Sequence, residues 1–416
     1  MTIILIQMTS VNFENTLWLS DKYRNLNNTT VQTEFANGDL LLHFRDYRFN
    51  DTTSLYGDIY RFNLFRGLLR LSSGNWTLSV GDNDVVFGRG LSLFLSTDQK
   101  ALLESYLRGV RFQMGSFSVY GGFRRKFIYY RGDDYPQYIA GLDVEREIGG
   151  FNGTFYMDTL QHRGLIGSIY MQNSIDGLSL YFEGAYRYGY DMETFSSNFG
   201  YGLFFSMAYY LNNLSLNIEM KDYYRLYQGF NLPAPANEYE LLSSNGRYER
   251  GISFSIEGRN FRASTAQDVD RSFDKLLEYY SFTGYSMGIV SWKVSAYRLW
   301  WRGNMDDYTG FLEIKYSPSW GIILYGEYRN RKGEHQPMAS FDFINDGFNL
   351  SIGGRYYSSH EKWDYFITGR YDNLNNLYLE VSYGAFSGDI VCSSGICRYE
   401  PPFRGLKVSM GYMWNK

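Results

Sequence analysis

From Leu178 to Tyr188 the sequence changes character at every residue, with Leu178, Leu180, Phe182, Gly184, Tyr186 and Tyr188 on one side and Ser179, Tyr181, Glu183, Ala185 and Arg187 on the other. An extended backbone points successive side chains to opposite faces, so this pattern specifies a strand with one apolar and one polar face. The split recurs in Leu214, Leu216, Ile218 and Met220 against Ser215, Asn217, Glu219 and Lys221. It recurs again in Ile252, Phe254 and Ile256 against Ser253, Ser255 and Glu257, in Ile322 to Arg331, and in Leu377, Leu379, Val381 and Tyr383 against Tyr378, Glu380 and Ser382. Soluble sandwiches alternate too, with the apolar face inward, so the number and spacing of strands must decide the fold.

The connections supply that information. Residues suited to tight hairpins occur at Asn37-Gly38, Ser73-Gly74, Gly115-Ser116, Gly149-Gly150, Asp176-Gly177, Asn212-Asn213, Ser317-Pro318-Ser319, Asp346-Gly347 and around Asn373 to Asn376. Between them lie longer connections at 50–57, 131–136, 190–198, 230–246, 303–308, 332–338, 358–362 and 388–402. Short and long alternate, as in outer-membrane barrels with short periplasmic turns and longer outer loops. The expected fold is therefore all-β: a single-chain antiparallel transmembrane β-barrel of about 22–24 strands, within an outer range of about 18–24. The parity fails once, between Gly246 and Val290, where Val269, Phe273, Leu276, Leu277 and Tyr280 have helical spacing. Either a short helix or a misread strand start fits there.

Composition agrees. Aromatics make up 19% of the 416 residues, yet mean hydropathy is −0.36. Membrane helices would need runs of about 18 apolar residues, whereas a barrel exposes only every second residue to lipid and carries aromatic girdles. With seven prolines and no linker run, residues 13–416 read as one barrel domain. Residues 1–12 read as a signal-peptide remnant or a disordered start. The net charge of −4 and the lack of a basic block argue against a nucleic-acid partner.

Few residues suggest chemistry. The four histidines, His43, His162, His335 and His360, are scattered, the last three in expected connections, and no Ser-His-acid set can be assembled from neighbouring faces. No enzyme activity, metal or cofactor is expected. Cys392 and Cys397 flank a Ser-Ser-Gly-Ile run, and a local disulfide is their simplest use in an oxidising compartment. Two free thiols are the alternative. The basic run Arg124-Arg125-Lys126, beside Tyr129, Tyr130 and Arg131, suits lipopolysaccharide phosphates, an anionic solute or a snorkelling barrel rim.

One stretch breaks the strand pattern. Between Trp76 and Phe112 stand Gly81, Asp82, Phe87, Gly88, Arg89, Gly90 and Leu91, then Leu107, Arg108, Gly109, Val110 and Arg111. This order resembles an uncharacterised family of outer-membrane β proteins from diderm bacteria, a domain of unknown function with an F-G-x-G-L … L-R-G-V block before a run of hairpins. The chain departs from that block at Asp82-Asn83-Asp84, where the family favours aromatics, and in the insert at 99–104. The resemblance implies an outer-membrane barrel and carries no activity.

Read physically, residues 81–105 form an inward-folded segment. Gly88, Gly90 and Gly109 are its backbone bends, and Arg89, Arg108, Arg111, Asp82 and Asp84 line a lumenal constriction, because a lone charge is costly in lipid. Two functions follow as expectations: a pore or transporter for a polar or amphiphilic solute, or a structural or assembly barrel with a filled lumen whose outer loops bind a partner protein or surface polymer. The expected surroundings are the outer membrane of a diderm bacterium, its lipid and lipopolysaccharide, and the barrel-assembly machinery that the aromatic last strand, Leu406 to Trp414, would engage.

Overall fold

The computed structural model describes residues 6–20, 24–49, 59–98, 103–127, 137–191, 196–226, 228, 231, 248–270, 275–286, 290–301, 304–316, 320–331, 333–359, 361–373, 377–386, 389–393, 396–400 and 403–415. The turn expected at 317–319, the connections at 50–57 and 131–136, His360, Tyr129, Tyr130 and Arg131 lie outside the described residues, as do the side chains of Lys126, Cys392 and Cys397.

Among the described residues every regular element is a strand. One antiparallel sheet of 25 strands contains all but two small ladders, and one of its members is the two-residue strand Thr97–Asp98, which leaves 24 long strands. The first, Ile6–Ser20, pairs with the last, Phe403–Asn415, from Ser10↔Asn415 to Ser20↔Gly405. The sheet thus closes on itself as an antiparallel β-barrel with no free edge strand, which removes the usual template for aggregation.

Turn chemistry sets the register. Asp176 (φ 46) with Gly177 (φ 82), and Asp346 (φ 38) with Gly347 (φ 82), place both central residues at positive φ. That geometry matches the right-handed twist of paired strands. The region of failed parity is a hairpin plus a second connection: Tyr248–Gly258 turns at Arg259-Asn260 into Phe261–Asp270, followed by Lys275–Ser286. The helical spacing there is incidental, since Val269 and Leu276 face each other across two strands. Arg259-Asn260 has neither the glycine of turns such as Asp176-Gly177 nor the paired asparagines of Asn212-Asn213, so its signal is weak. His335, expected in a connection, lies in the strand Glu334–Asn345.

The chain divides into two compact units, one comprising 1–81, 313–328 and 334–416, the other 82–312 and 329–333. In the first, Met410, Tyr412 and Trp414 are exposed on one face of the last strand while Lys407 and Ser409 are buried on the other. Lys407 pairs with Glu380 at 2.7 Å and Arg355 with Glu327 at 3.1 Å. A separate small ladder, Asp389–Ser393 with Ile396–Glu400, sets Cys392 opposite Cys397 in register.

The second unit shows why the wall suits lipid. Along Arg163–Ile175, Leu165, Ile169 and Met171 are 54%, 55% and 63% exposed, whereas Ile166 and Tyr170 between them are buried. Exposed apolar side chains in such density would aggregate in water and are stable against hydrocarbon. The inner face is covered by the chain itself. Val85–Val86 pairs with Phe94–Leu95, and the hairpin they form buries Val85, Phe87, Leu91, Leu93 and Leu95 against Tyr120, Ile139, Tyr156, Ile166, Tyr170, Phe204 and Tyr223.

Candidate functional site

The site is this inner hairpin with its anchors; from Asp82 onward it lies within the second unit. It begins where Gly81, at φ 118, ends the ladder with the preceding strand at Leu68↔Gly81. Asp82 follows and is fully buried. Its carboxylate accepts Arg108 Nε and Nη2, each at 2.7 Å, and Arg125 Nη1 at 3.3 Å. The paired fork fixes the plane of the Arg108 guanidinium as well as neutralising the carboxylate. Asn83 Nδ2 donates to Gly109 O at 3.3 Å. Asp84 and Ser96 close the base of the hairpin, Ser96 Oγ donating to Asp84 Oδ1 at 2.9 Å. Arg111 Nη1 donates to the Asp84 carbonyl at 3.3 Å and its Nε to Ser118 Oγ at 3.1 Å.

The tip reverses at Phe87 to Gly90, where Gly90 N donates to Phe87 O at 2.9 Å and Gly88 and Gly90 adopt φ 54 and 89. Arg89 N donates to Glu183 Oε2 at 2.7 Å, and Tyr181 OH donates to the same oxygen at 2.7 Å. A Cβ on Gly88 would stand 2.6 Å from that oxygen, so glycine is required by space as well as by backbone angle. The Arg89 side chain is exposed, with Cζ 5.3 Å from the Tyr181 ring centroid and 5.9 Å from that of Phe204. It is a cation backed by aromatic faces, with its planar donors presented to the interior.

Two further groups hold the hairpin. Ser92 Oγ lies 3.0 Å from Asn152 Oδ1 and 2.6 Å from Ser168 Oγ. Asn152 Nδ2 donates to Tyr120 OH at 2.8 Å, and Tyr120 OH lies 2.7 Å from Thr154 Oγ1. Asn231, also buried, donates to Leu91 O at 2.8 Å and Leu226 O at 3.1 Å. A buried polar network of this kind stabilises only when its members are satisfied. Ser92→Ala is therefore expected to lower stability by about 1–2 kcal/mol, the cost of a lost hydrogen bond with partners left buried; urea unfolding in detergent, with Ser174→Ala at an exposed serine outside the site run as the reference, measures it.

The structure separates residues that their sequence pattern grouped. Arg108 and Arg111 stand three apart on the unbroken strand Leu103–Met114, so they face opposite sides of the wall. Arg111 pairs in register with Tyr120, which packs on the hairpin, whereas Arg108 shares the face of the exposed Val110 and Phe112. Arg108 and its partner Asp82 thus do not line an inner constriction; strand alternation turns the Arg108 side chain outward. Arg89 is apart from this cluster and sits over Tyr181 and Phe204. Gly109 is no bend: its ladder is regular, and a Cβ there would meet Gly121 O at 2.0 Å, so it serves close strand approach.

Glu183, Asn152, Ser168 and Asn231 carry no sequence signal that marks them as site residues. Glu183 was legible as inward-facing from its strand's alternation, but its partner lies 94 residues away in sequence. Among the described residues no group of three or more His, Cys, Asp or Glu side chains is arranged to hold a metal. His162 Nδ1 lies 2.9 Å from Asp158 Oδ2 and His335 Nδ1 lies 2.6 Å from Tyr328 OH.

A family model described as "Family of unknown function (DUF6029)" matches residues 290–414, outside the Trp76 to Phe112 block. No curated protein matches the sequence. The translocation pore of the P pilus usher PapC is similar at a TM-score of 0.50 and 11% identity, over 98% of this chain and 99% of that one. A chain of the E. coli P pilus tip assembly intermediate PapC-PapD-PapK-PapG is similar at 0.55 and 11% identity, over 99% of this chain and 61% of that one. OccK11 (OpdR) of Pseudomonas aeruginosa is similar at 0.42 and 10% identity, over 98% and 96%. At such identity the likeness is one of fold. The fold shared with the usher pore, together with the apolar outer face, is that of a β-barrel set in a membrane.

Proposed function

We propose that the barrel is a gated pore for a polar or amphiphilic solute bearing a carboxylate or other anionic group, with hairpin 84–96 as the gate and Arg89 as the group the solute meets. The observation that carries this reading is the hairpin itself. It packs on the inner face through apolar side chains, while the one guanidinium at its tip is exposed and backed by two rings. A transporter needs a site that binds a solute and a segment that can leave its path. Residues 85–95 form their own small ladder and meet the wall mainly through side chains, so they can move without breaking the ladders of the barrel.

Conductance across planar bilayers tests it. The intact protein is expected to conduct weakly, with small organic anions favoured over cations, and a variant with residues 84–96 replaced by a short Gly-Ser linker, which also loses Arg89, to conduct several-fold more with that preference lost. Equal conductance of the two proteins sinks the gate. The complete burial of Phe87, Leu91 and Leu93 favours a second reading, a structural barrel filled by the hairpin with partners at its longer loops. Under that reading the intact protein passes no current, and a partner protein copurifies with it.

A further inference from the structure

Alternation along one unbroken ladder carries a pair of arginines onto the outside of the wall. The strands Leu103–Met114 and Phe117–Phe127 pair without a shift from Phe117↔Met114 to Phe127↔Glu104. The outward face therefore runs through Met114, Phe112 and Val110 to Arg108, and through Phe117 and Val119 to Phe123 and Arg125. Val110 and Val119 are 46% and 43% exposed and belong to the lipid-facing surface. Phe123 pairs with Tyr138, itself exposed, so an aromatic rim adjoins the arginines.

Depth follows from strand geometry. Arg125 lies about 27 Å along its strand from Phe117, which at the usual barrel tilt is roughly 20 Å above the short turn and close to the far edge of an apolar band about 25 Å tall. That end carries the connection 128–136, the longer of the two, and in outer-membrane barrels the longer connections face outward. A guanidinium on the lipid side is costly in hydrocarbon and is placed where it meets headgroups. Asp82 fixes the plane of Arg108 through Nε and Nη2. Nη1 makes no hydrogen bond among the described residues, and the side chain is 34% exposed.

We infer that Arg108, oriented by Asp82 and flanked by Arg125, Phe123 and Tyr138, binds the phosphate of an outer-leaflet glycolipid. The carboxylate holds the planar fork with one edge outward, so that a phosphate oxygen meets N–H groups that need no reordering. The aromatic side chains receive the sugar and the upper part of the acyl chains at the same level.

The test is native mass spectrometry of the full chain in detergent, with diphosphoryl lipid A, its dephosphorylated form, or inorganic phosphate added. Lipid A is expected to be retained about fivefold more than the dephosphorylated lipid, and Arg108→Gln to remove that preference, in line with about 1 kcal/mol per basic side chain at a lipid surface. Arg108→Lys should keep part of it. Arg146→Gln, which alters an exposed arginine at the short-turn end of the wall, should leave it unchanged. Heat-modifiable migration on gels reports folding. If Arg108→Gln does not fold, the two lipids on the intact protein still decide. Equal retention of both lipids, or an unchanged preference in folded Arg108→Gln, overturns the site. Displacement of lipid A by equimolar inorganic phosphate overturns its assignment to a lipid.

Discussion

Replacing Asp82 with Ala is expected to cost about 3 kcal/mol of stability, the lower end of the penalty for breaking a buried charge pair, because Arg125 is left largely buried while Arg108 stays one-third exposed. The carboxylate is fully buried and holds two guanidinium groups, at 2.7 Å and 3.3 Å. Without it, Arg108 and Arg125 are cations in a wall that otherwise presents apolar side chains. The origin of the loss can be isolated: replacing all three residues by apolar side chains removes the uncompensated charge, and should recover most of it. Unfolding in urea, followed by tryptophan fluorescence in detergent, measures both proteins. An Asp82→Ala loss below about 1 kcal/mol, the range of an exposed ion pair, would mean that the buried pair carries no such weight.

Gly88→Val is expected to dislodge the hairpin while leaving the wall intact. A β-branched residue at φ 54 is strained by about 1–2 kcal/mol, and its Cβ would fall 2.6 Å from Glu183 Oε2. Neither the backbone nor the carboxylate can give way without breaking the bonds from Arg89 N and Tyr181 OH. The readout is thiol labelling of Ser92→Cys in a background with Cys392 and Cys397 replaced by Ser. Ser92 is fully buried, so the probe should be inert with Gly88 in place. With Gly88→Val its labelling should rise at least about tenfold, since about 1.4 kcal/mol in the opening equilibrium is a factor of ten. Unchanged labelling in a folded barrel would show that the hairpin tolerates the side chain and that its tip is not tightly held.

Together the two variants measure how tightly the hairpin is bound at either end. The Asp82 cluster acts at its base, where the chain leaves the wall, and Gly88 at its tip. A gate requires the tip to release more easily than the base, because losing the base ion pairs would destabilise the wall strands that carry Arg108 and Arg125. The tip depends on Glu183, Ser92 and Asn231 for its polar contacts, each a single side chain that a bound solute could replace.

Much of the fold is legible in the order of residues alone. Two-residue periodicity in stretches such as Leu178 to Tyr188 assigns strand and face together, since the pleat allows no other arrangement. Turn pairs such as Asp176-Gly177 fix register locally, because few residues accept two successive positive φ angles. The opposite facing of Arg108 and Arg111 is equally written in their odd spacing. Arg259-Asn260 escapes because a turn with neither glycine nor paired asparagines leaves only a faint local signal.

The sequence by itself thus determined that this chain is a strand-built wall with apolar residues on one side and polar residues on the other. Only the tertiary structure decided which groups meet: Arg89 with Tyr181 and Phe204, Ser92 with Asn152 and Ser168, Leu91 with Asn231. The physical reason is range. Alternation and turns are local rules that each residue obeys with its neighbours, whereas the hairpin's contacts span up to 140 positions and exist only after the strands between them have paired.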